Sequence, residues 1–553
     1  MKKNFFRKVA FGLSPNENIN EDPLNWAKQQ FNSVPNFIWS YKLPTLLEQR
    51  KRYGEWVYGD RKVLRKKFKN DRLMYEKEKD LLRHKTGEKF FEPLELSIRH
   101  NTALKTTNPV FERMWHFWSN FFAISEKDFL ASFSTGVYQR DIIRPNMCGS
   151  FEDLVYQVTT SWCMLHHLDN AENIGPNSKE GVRLNSNNRK VGLNENHARE
   201  LLELHTVSSK ANYSQEDVIN MAKVMTGWAH LWNKKDLEAG PVKFQPSFHE
   251  NGPYKILGKL YDIKDFNTVN QGKELKIVIK DLANHPSTKK NISRKLCQHF
   301  ICDEPTNEMI EPIIQTWNKN DGNLIEIHKT LIDVVFNFSE NYKKFSMPEL
   351  WLLQNAKMLD LKYIDNQPDG FEFNGFNANR SQKRLENILY DLGHNIYRAK
   401  QPNGYIDLES EWLSPELIIR RLAIAKRFTG IVNTNISYNN EFFEKVLIFN
   451  GRDVIISPTS PKLGTTTSPC DRDSAPAFPV LNLNPLIFGT TYVSPGLISL
   501  VIRMLPSISS ISTQLLPVAF KTISVVGSLS LAVADNSVLF ELTPSVTVSY
   551  THL

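Results

Sequence analysis

The chain has 553 residues, of which 41% are hydrophobic, 23% charged and 11% aromatic, with 33 Phe and 11 Trp. That length is too great for one ordinary core and predicts two or three domains of soluble, globular composition. The formal net charge of +8 and the sequence pI of about 8.9 permit an anionic partner without demanding one.

The N-terminus, Met1-Lys2-Lys3-Asn4-Phe5-Phe6-Arg7-Lys8, starts like a signal peptide, but Arg7 and Lys8 interrupt it. No apolar segment of about 7–15 residues follows. No uncharged apolar run approaches the roughly 18 residues that span a bilayer. The sequence as written therefore predicts a cytoplasmic protein without a transmembrane segment. The five cysteines fit neither a disulfide framework nor a metal knuckle, and read as small buried hydrophobes in a reducing compartment.

The predicted elements are mostly helical. A short helix is expected over residues 20–35, around Trp26 and Phe31. Residues 44–86 form a long amphipathic stretch rich in Lys, Arg and Glu. Its cluster Arg61-Lys62, Arg65-Lys66-Lys67 and Lys69 could bind phosphates. Glu76, Glu78 and Asp80 follow at once, so a solvated helix face is the stronger reading and nucleic acid an unlikely partner.

Phe111, Met114, Trp115, Trp118 and Phe122 fall at i, i+3, i+4, i+7 and i+11, the stripe of a core helix. Glu112, His116 and Asn120 line its polar side. Over residues 137–170 a helical pair is expected, the first member ending before Pro145. The Asn- and Gly-rich run to Asn188 reads as a surface loop.

The densest chemistry lies in Asn194–Thr206. Ala198, Leu201, Leu202 and His205 make one helix face at i, i+3, i+4 and i+7, while Glu195, Arg199 and Glu203 make another at i, i+4 and i+8. Ser214 with Asp217 predicts a capping box for a helix that stops at Gly227. Between residues 240 and 262 a short β-hairpin interrupts the helices, with Asn251-Gly252-Pro253 flanked by Phe and Tyr. Helices resume over 272–301, broken at His285-Pro286, and over 306–340, 348–360, 382–393 and 414–428.

Residues 451–553 differ from the rest. They carry ten charges, five of each sign, against 118 in the first 450, with 16 Ser, 11 Thr and 10 Pro. The prolines argue against helices and central strands alike. This tail reads as a low-complexity, disordered or loosely β extension, or as a frame or sequencing artefact that truncates the true C-terminus. The terminal Val548-Ser549-Tyr550-Thr551-His552-Leu553 resembles the translation of a sequencing adapter, which favours the artefact. The resulting division is a charged helical segment over 1–100, a helical core over 101–450 and the tail.

Several motifs together resemble the bacterial domain-of-unknown-function family 1800 (DUF1800). They are Phe11-Gly12, Glu112-Arg113 with Phe117-Trp118-Ser119-Asn120, Arg144-Pro145, Leu168-Asp169-Asn170 and Leu193 to Thr206. Thr226-Gly227-Trp228, His249-Glu250, Leu257-Gly258, His285-Pro286-Ser287-Thr288 and Trp412 with Arg420 extend the likeness over roughly residues 8–430. The resemblance implies a largely helical fold with no established activity. It also implies relatives that are often exported and lie beside genes for sulfatase-like proteins, hence an envelope or polysaccharide-related role and a sulfatase-like partner by association. The chain departs from the family pattern at Phe121, where a histidine usually stands, and this weakens a metal site built there.

Two chemistries compete. A helical binding or assembly module would use Glu195–Arg199–Glu203 as an ion-pair ladder, with Trp118 and Trp228 packed between helices and Arg199, Asn120 and both tryptophans as binding candidates. A metal- or carboxylate-dependent hydrolase would draw on Glu195, Glu200, Glu203, His205, His116 and His249, with Glu200, Glu203 and His205 as ligands for a divalent metal. The absence of H-E-x-x-H, P-loop, Rossmann and G-x-S-x-G motifs favours the module.

Overall fold

The computed structural model describes residues 3–432, except 15–16, 18, 20, 87, 128–129, 231–241, 360–370, 374–375 and 379–386, and short strand segments between 488 and 549. Among the described residues 64% are helical and 4% strand, so the fold is mainly α, as expected.

Local chemistry accounts for most helix starts. Thr45 and Glu48 form a reciprocal capping box that opens Leu46–Gly54, and Ser214 with Asp217 opens Gln215–Met225 in the same way. The latter helix ends where expected, because Gly227 adopts φ +85° and turns the chain out of the helix. The stretch expected to be helical up to Leu168 divides into Phe151–Thr159 and Trp162–His167. The Ser161 hydroxyl, which accepts from the Met164 amide, starts a new helix there.

The helix Pro109–Phe121 buries both its stripe and its polar side. It is the axis of the main apolar cluster, which gathers residues from Phe5 to Val335 and includes the fully buried Trp56, Trp118, Trp162 and Trp317. The helix Glu88–Lys105 packs beside it. Its apolar spacing at Phe91, Leu94 and Ile98 is helical, but Pro93 stands inside it and disguises the pattern.

Three segments wind more widely than an α-helix: Glu55–Asp60, Gln139–Ile143 and Leu201–His205. In the second, Pro145 has no N–H to give the preceding turn, and the helix widens instead of ending. In the third, the Thr206 hydroxyl donates to the Leu201 carbonyl five residues back at 2.7 Å.

The β excursion is present. Trp228–His230 pairs antiparallel with Val242–Phe244, and Tyr254–Ile256 with Lys259–Tyr261. The second hairpin turns at Leu257-Gly258, with φ of +49° and +80°, the tight geometry that matches strand twist. In the tail, Phe488–Ser494, Leu497–Arg503, Ser530–Ala534 and Ser537–Leu542 form an antiparallel sheet, and Ser524–Val526 pairs with Thr547–Ser549. The rest of residues 451–553 lies outside the described residues, as does part of the helix expected over 382–393.

Candidate functional site

A dense cluster of buried charge surrounds Glu349, on the helix Pro348–Met358, almost all of whose residues are buried. Arg99, from Glu88–Lys105, donates from Nε to Glu349 Oε1 at 2.7 Å and from Nη2 to Oε2 at 3.1 Å. This is a two-pronged pair of a kind that fixes geometry as well as charge. His100 donates from Nε2 to Glu349 Oε1 at 2.9 Å, and His116 Nδ1 lies 3.4 Å from Oε2. Arg99 also donates to the Ser119 hydroxyl and the Gln139 side-chain oxygen, each at 3.2 Å. The backbone N–H of Glu349 donates to His394 Nδ1 at 3.2 Å.

A second chain of charges adjoins the first. Arg113 donates to His299 Nε2, and His299 Nδ1 donates in turn to Asp407. Lys344 lies 3.2 Å from Asp407 and 2.5 Å from Asp303. Arg99, His116, His299, Glu349 and His394 together line a cavity of only about 20 Å³.

Burial sets the protonation states. It pushes His116 down to about 3, and His299 and His394 to about 4, so all three rings are neutral at pH 7. Burial opposes ionisation of Glu349 as well, but the Arg99 charge and the His116 contact override it and hold the carboxyl well below its usual range. Asp407 is likewise held down against burial by His299 and Lys344.

The residues singled out in the sequence fall in several places. His116 and Asn120 join the Glu349 centre. Asn120 donates to the Tyr405 carbonyl and accepts from the Tyr405 N–H, both at 2.8 Å, and its backbone is so close to Gly404 (φ +69°) that a Cβ there would meet the Asn120 carbonyl oxygen at 2.3 Å. Trp118 donates its indole N–H to His328 Nε2 at 3.0 Å. His205 sits elsewhere, with its ring against Phe122 at 5.1 Å and burial pushing it down to about 3. His249 forms a third group: its Nε2 is 2.6 Å from Glu274 and its Nδ1 2.9 Å from the Thr226 carbonyl. Trp228 packs between Tyr156 and Phe244.

On the Asn194–Thr206 segment the charges meet one another. Arg199 donates to Glu195 at 3.1 Å and to Gln215 at 2.8 Å, and lies 3.9 Å from Glu203. Glu203 accepts from the Tyr213 hydroxyl. Glu200 is half-buried, and burial first, then the neighbouring Glu203 charge, raises its carboxyl. Among the described residues no three His, Cys, Asp or Glu side chains are grouped so that they could hold a metal ion.

Sequence reasoning missed Arg99, Glu349, His299, His394 and Asp407. They are scattered over more than 300 residues with no local pattern, and only the fold brings them together. The one available signal was a charged residue, Glu349, directly before the apolar run Leu350-Trp351-Leu352-Leu353.

A wider space lies apart from this centre. A groove of about 760 Å³ is lined by Tyr58, His166, Asp169, Glu172 and the extended segment Arg189 to Asn194. It is of the size that takes small ligands, and its walls carry both signs of charge.

Helices tied together by internal ion pairs define a mainly α protein, and among the described residues no helix is long and apolar enough to cross a membrane. Residues 4–509 match the family described as "Protein of unknown function (DUF1800)", and the chain belongs to that family. The match continues past the change in composition near residue 450. No curated protein and no solved structure matches the chain.

Proposed function

We propose that the chain is a binding or assembly module whose recognition surface is the groove between Tyr58 and the Arg189–Asn194 segment. The observation that carries this reading is the contrast between the two spaces. Around Glu349 the carboxylates are closed by arginine, lysine and histidine, leaving about 20 Å³, room for little more than a water molecule. The groove offers about 760 Å³ and has Asp169, Glu172, Arg189 and Lys190 in its lining. A wall with both signs suits a polar surface loop of a partner protein, and the family resemblance suggests a sulfatase-like protein of the envelope as the first to try. The experiment is co-purification of that protein with the full chain and with an Arg189→Glu/Lys190→Glu variant. Retention by the wild type that drops at least about tenfold in the variant, roughly 1.4 kcal/mol, supports the groove. Equal retention by both contradicts it.

The alternative is a hydrolase using a divalent metal on Glu200, Glu203 and His205. Elemental analysis of the full chain decides it. About one metal per chain, lost in a Glu203→Gln/His205→Ala variant, would overturn the binding reading; trace metal in both supports it.

A further inference from the structure

Residues 61–86 hold eleven Lys or Arg and four Asp or Glu, a net +7 out of the whole chain's +8. The chain is thus nearly neutral apart from one short region. That region is the helix Arg61–Lys67, a link over 68–71 and the helix Arg72–Thr86. The two helices are in contact, the second folding back beside the first. Asp71 accepts from the Met74 N–H at 3.0 Å and starts the second helix.

The hairpin is anchored lightly. No residue of Arg61–Lys67 is buried. Lys62, Arg65, Lys66, Lys67, Lys69, Arg72 and Lys77 are exposed, and none takes part in an ion pair among the described residues. Beside these cations stand Val63 at 68% exposure, Leu73 at 83% and Leu81 at 52%. Leu73, Lys77 and Leu81 are spaced four apart and share one side of the second helix. One exposed leucine needs no explanation. Three exposed aliphatic side chains set among unpaired cations need a partner that is both anionic and apolar.

We propose that the Arg61–Thr86 hairpin is a docking surface for an anionic lipid bilayer. Its cations meet phosphate headgroups, and Val63, Leu73 and Leu81 enter the boundary between headgroups and acyl chains. A nucleic acid would satisfy the same cations but would offer nothing to the aliphatic side chains, and the ring-bearing residues that stack on bases, Phe68 and Tyr75, are half-buried here.

The test is co-sedimentation of the full chain with phosphatidylcholine vesicles, with and without phosphatidylglycerol as about a third of the lipid. The chain is expected to bind the anionic vesicles alone and to come off as salt rises. Removing one cation should weaken binding by about fivefold, so Lys66→Gln/Lys67→Gln should weaken it by roughly 25-fold. Leu73→Asn should weaken it too while leaving the salt dependence unchanged. All three positions are exposed, and circular dichroism checks that the variants are folded. Equal binding to both vesicle types, or binding to neither, would overturn the proposal. So would duplex DNA displacing the chain from vesicles while Leu73→Asn binds them as the wild type does.

Discussion

His116, His205, His299, His328 and His394 are each 4% exposed or less, and burial depresses all five rings, to about 3 for His116, His205 and His328 and about 4 for His299 and His394. The unfolded chain takes up a proton at each ring as pH falls below the ordinary 6.5, whereas the folded chain does not. Stability present above about pH 6.5 is therefore lost on acidification, by about 1.4 kcal/mol per pH unit for each ring. Glu349 and Asp407 are depressed too, and they add stability above ordinary carboxylate values that is lost only at lower pH. Acid unfolding should thus begin near pH 6, ahead of carboxylate protonation. Thermal melts by circular dichroism between about pH 7.5 and 4.5 should show the midpoint falling steeply through this window, since several rings act together. A midpoint unchanged from pH 7 to 5 would contradict the buried, neutral state of the histidines.

At the scale of elements, what was legible depended on whether the cause was local. The capping box at Ser214 and Asp217, the glycine stop at Gly227, the break at His285-Pro286 and the aromatic stripe of Pro109–Phe121 are written in adjacent residues, and the structure has them all. The hairpin near residues 240–262 was legible as an excursion, but its turn was not. A turn at Leu257-Gly258 demands positive φ from a leucine, which propensity argues against. The wide turns at Gln139–Ile143 and Leu201–His205 were illegible because the helix takes up an extra residue there, and a single extra residue leaves no mark in an apolar period of 3.6. Part of the candidate site was legible for the same reason: His116 and Asn120 lie on a strongly patterned helix. Glu349, His299 and Asp407 become a site only through contacts between distant segments.

Across the whole molecule, buried and half-buried charges tie remote parts of the chain together through ion pairs and hydrogen bonds. Arg99 and Glu349 are 250 residues apart, and Arg398 reaches Glu92 across 306, donating at 2.6 and 2.8 Å. Arg140 joins Glu95 at 3.0 and 3.2 Å, and Lys8 donates to the Ile301 carbonyl at 3.0 Å. Desolvating such charges is costly, and what the pairs contribute is a demand for one arrangement of the helices. We infer that Glu349 braces the fold, its carboxylate held on both oxygens by the Arg99 guanidinium. The most direct measurement is the unfolding free energy of Glu349→Gln by denaturant titration. A brace leaves the Arg99 guanidinium buried without its counter-charge, and a loss of about 3–5 kcal/mol is predicted. A catalytic carboxylate is held at the expense of stability, so an unchanged or more stable Glu349→Gln variant would contradict the brace.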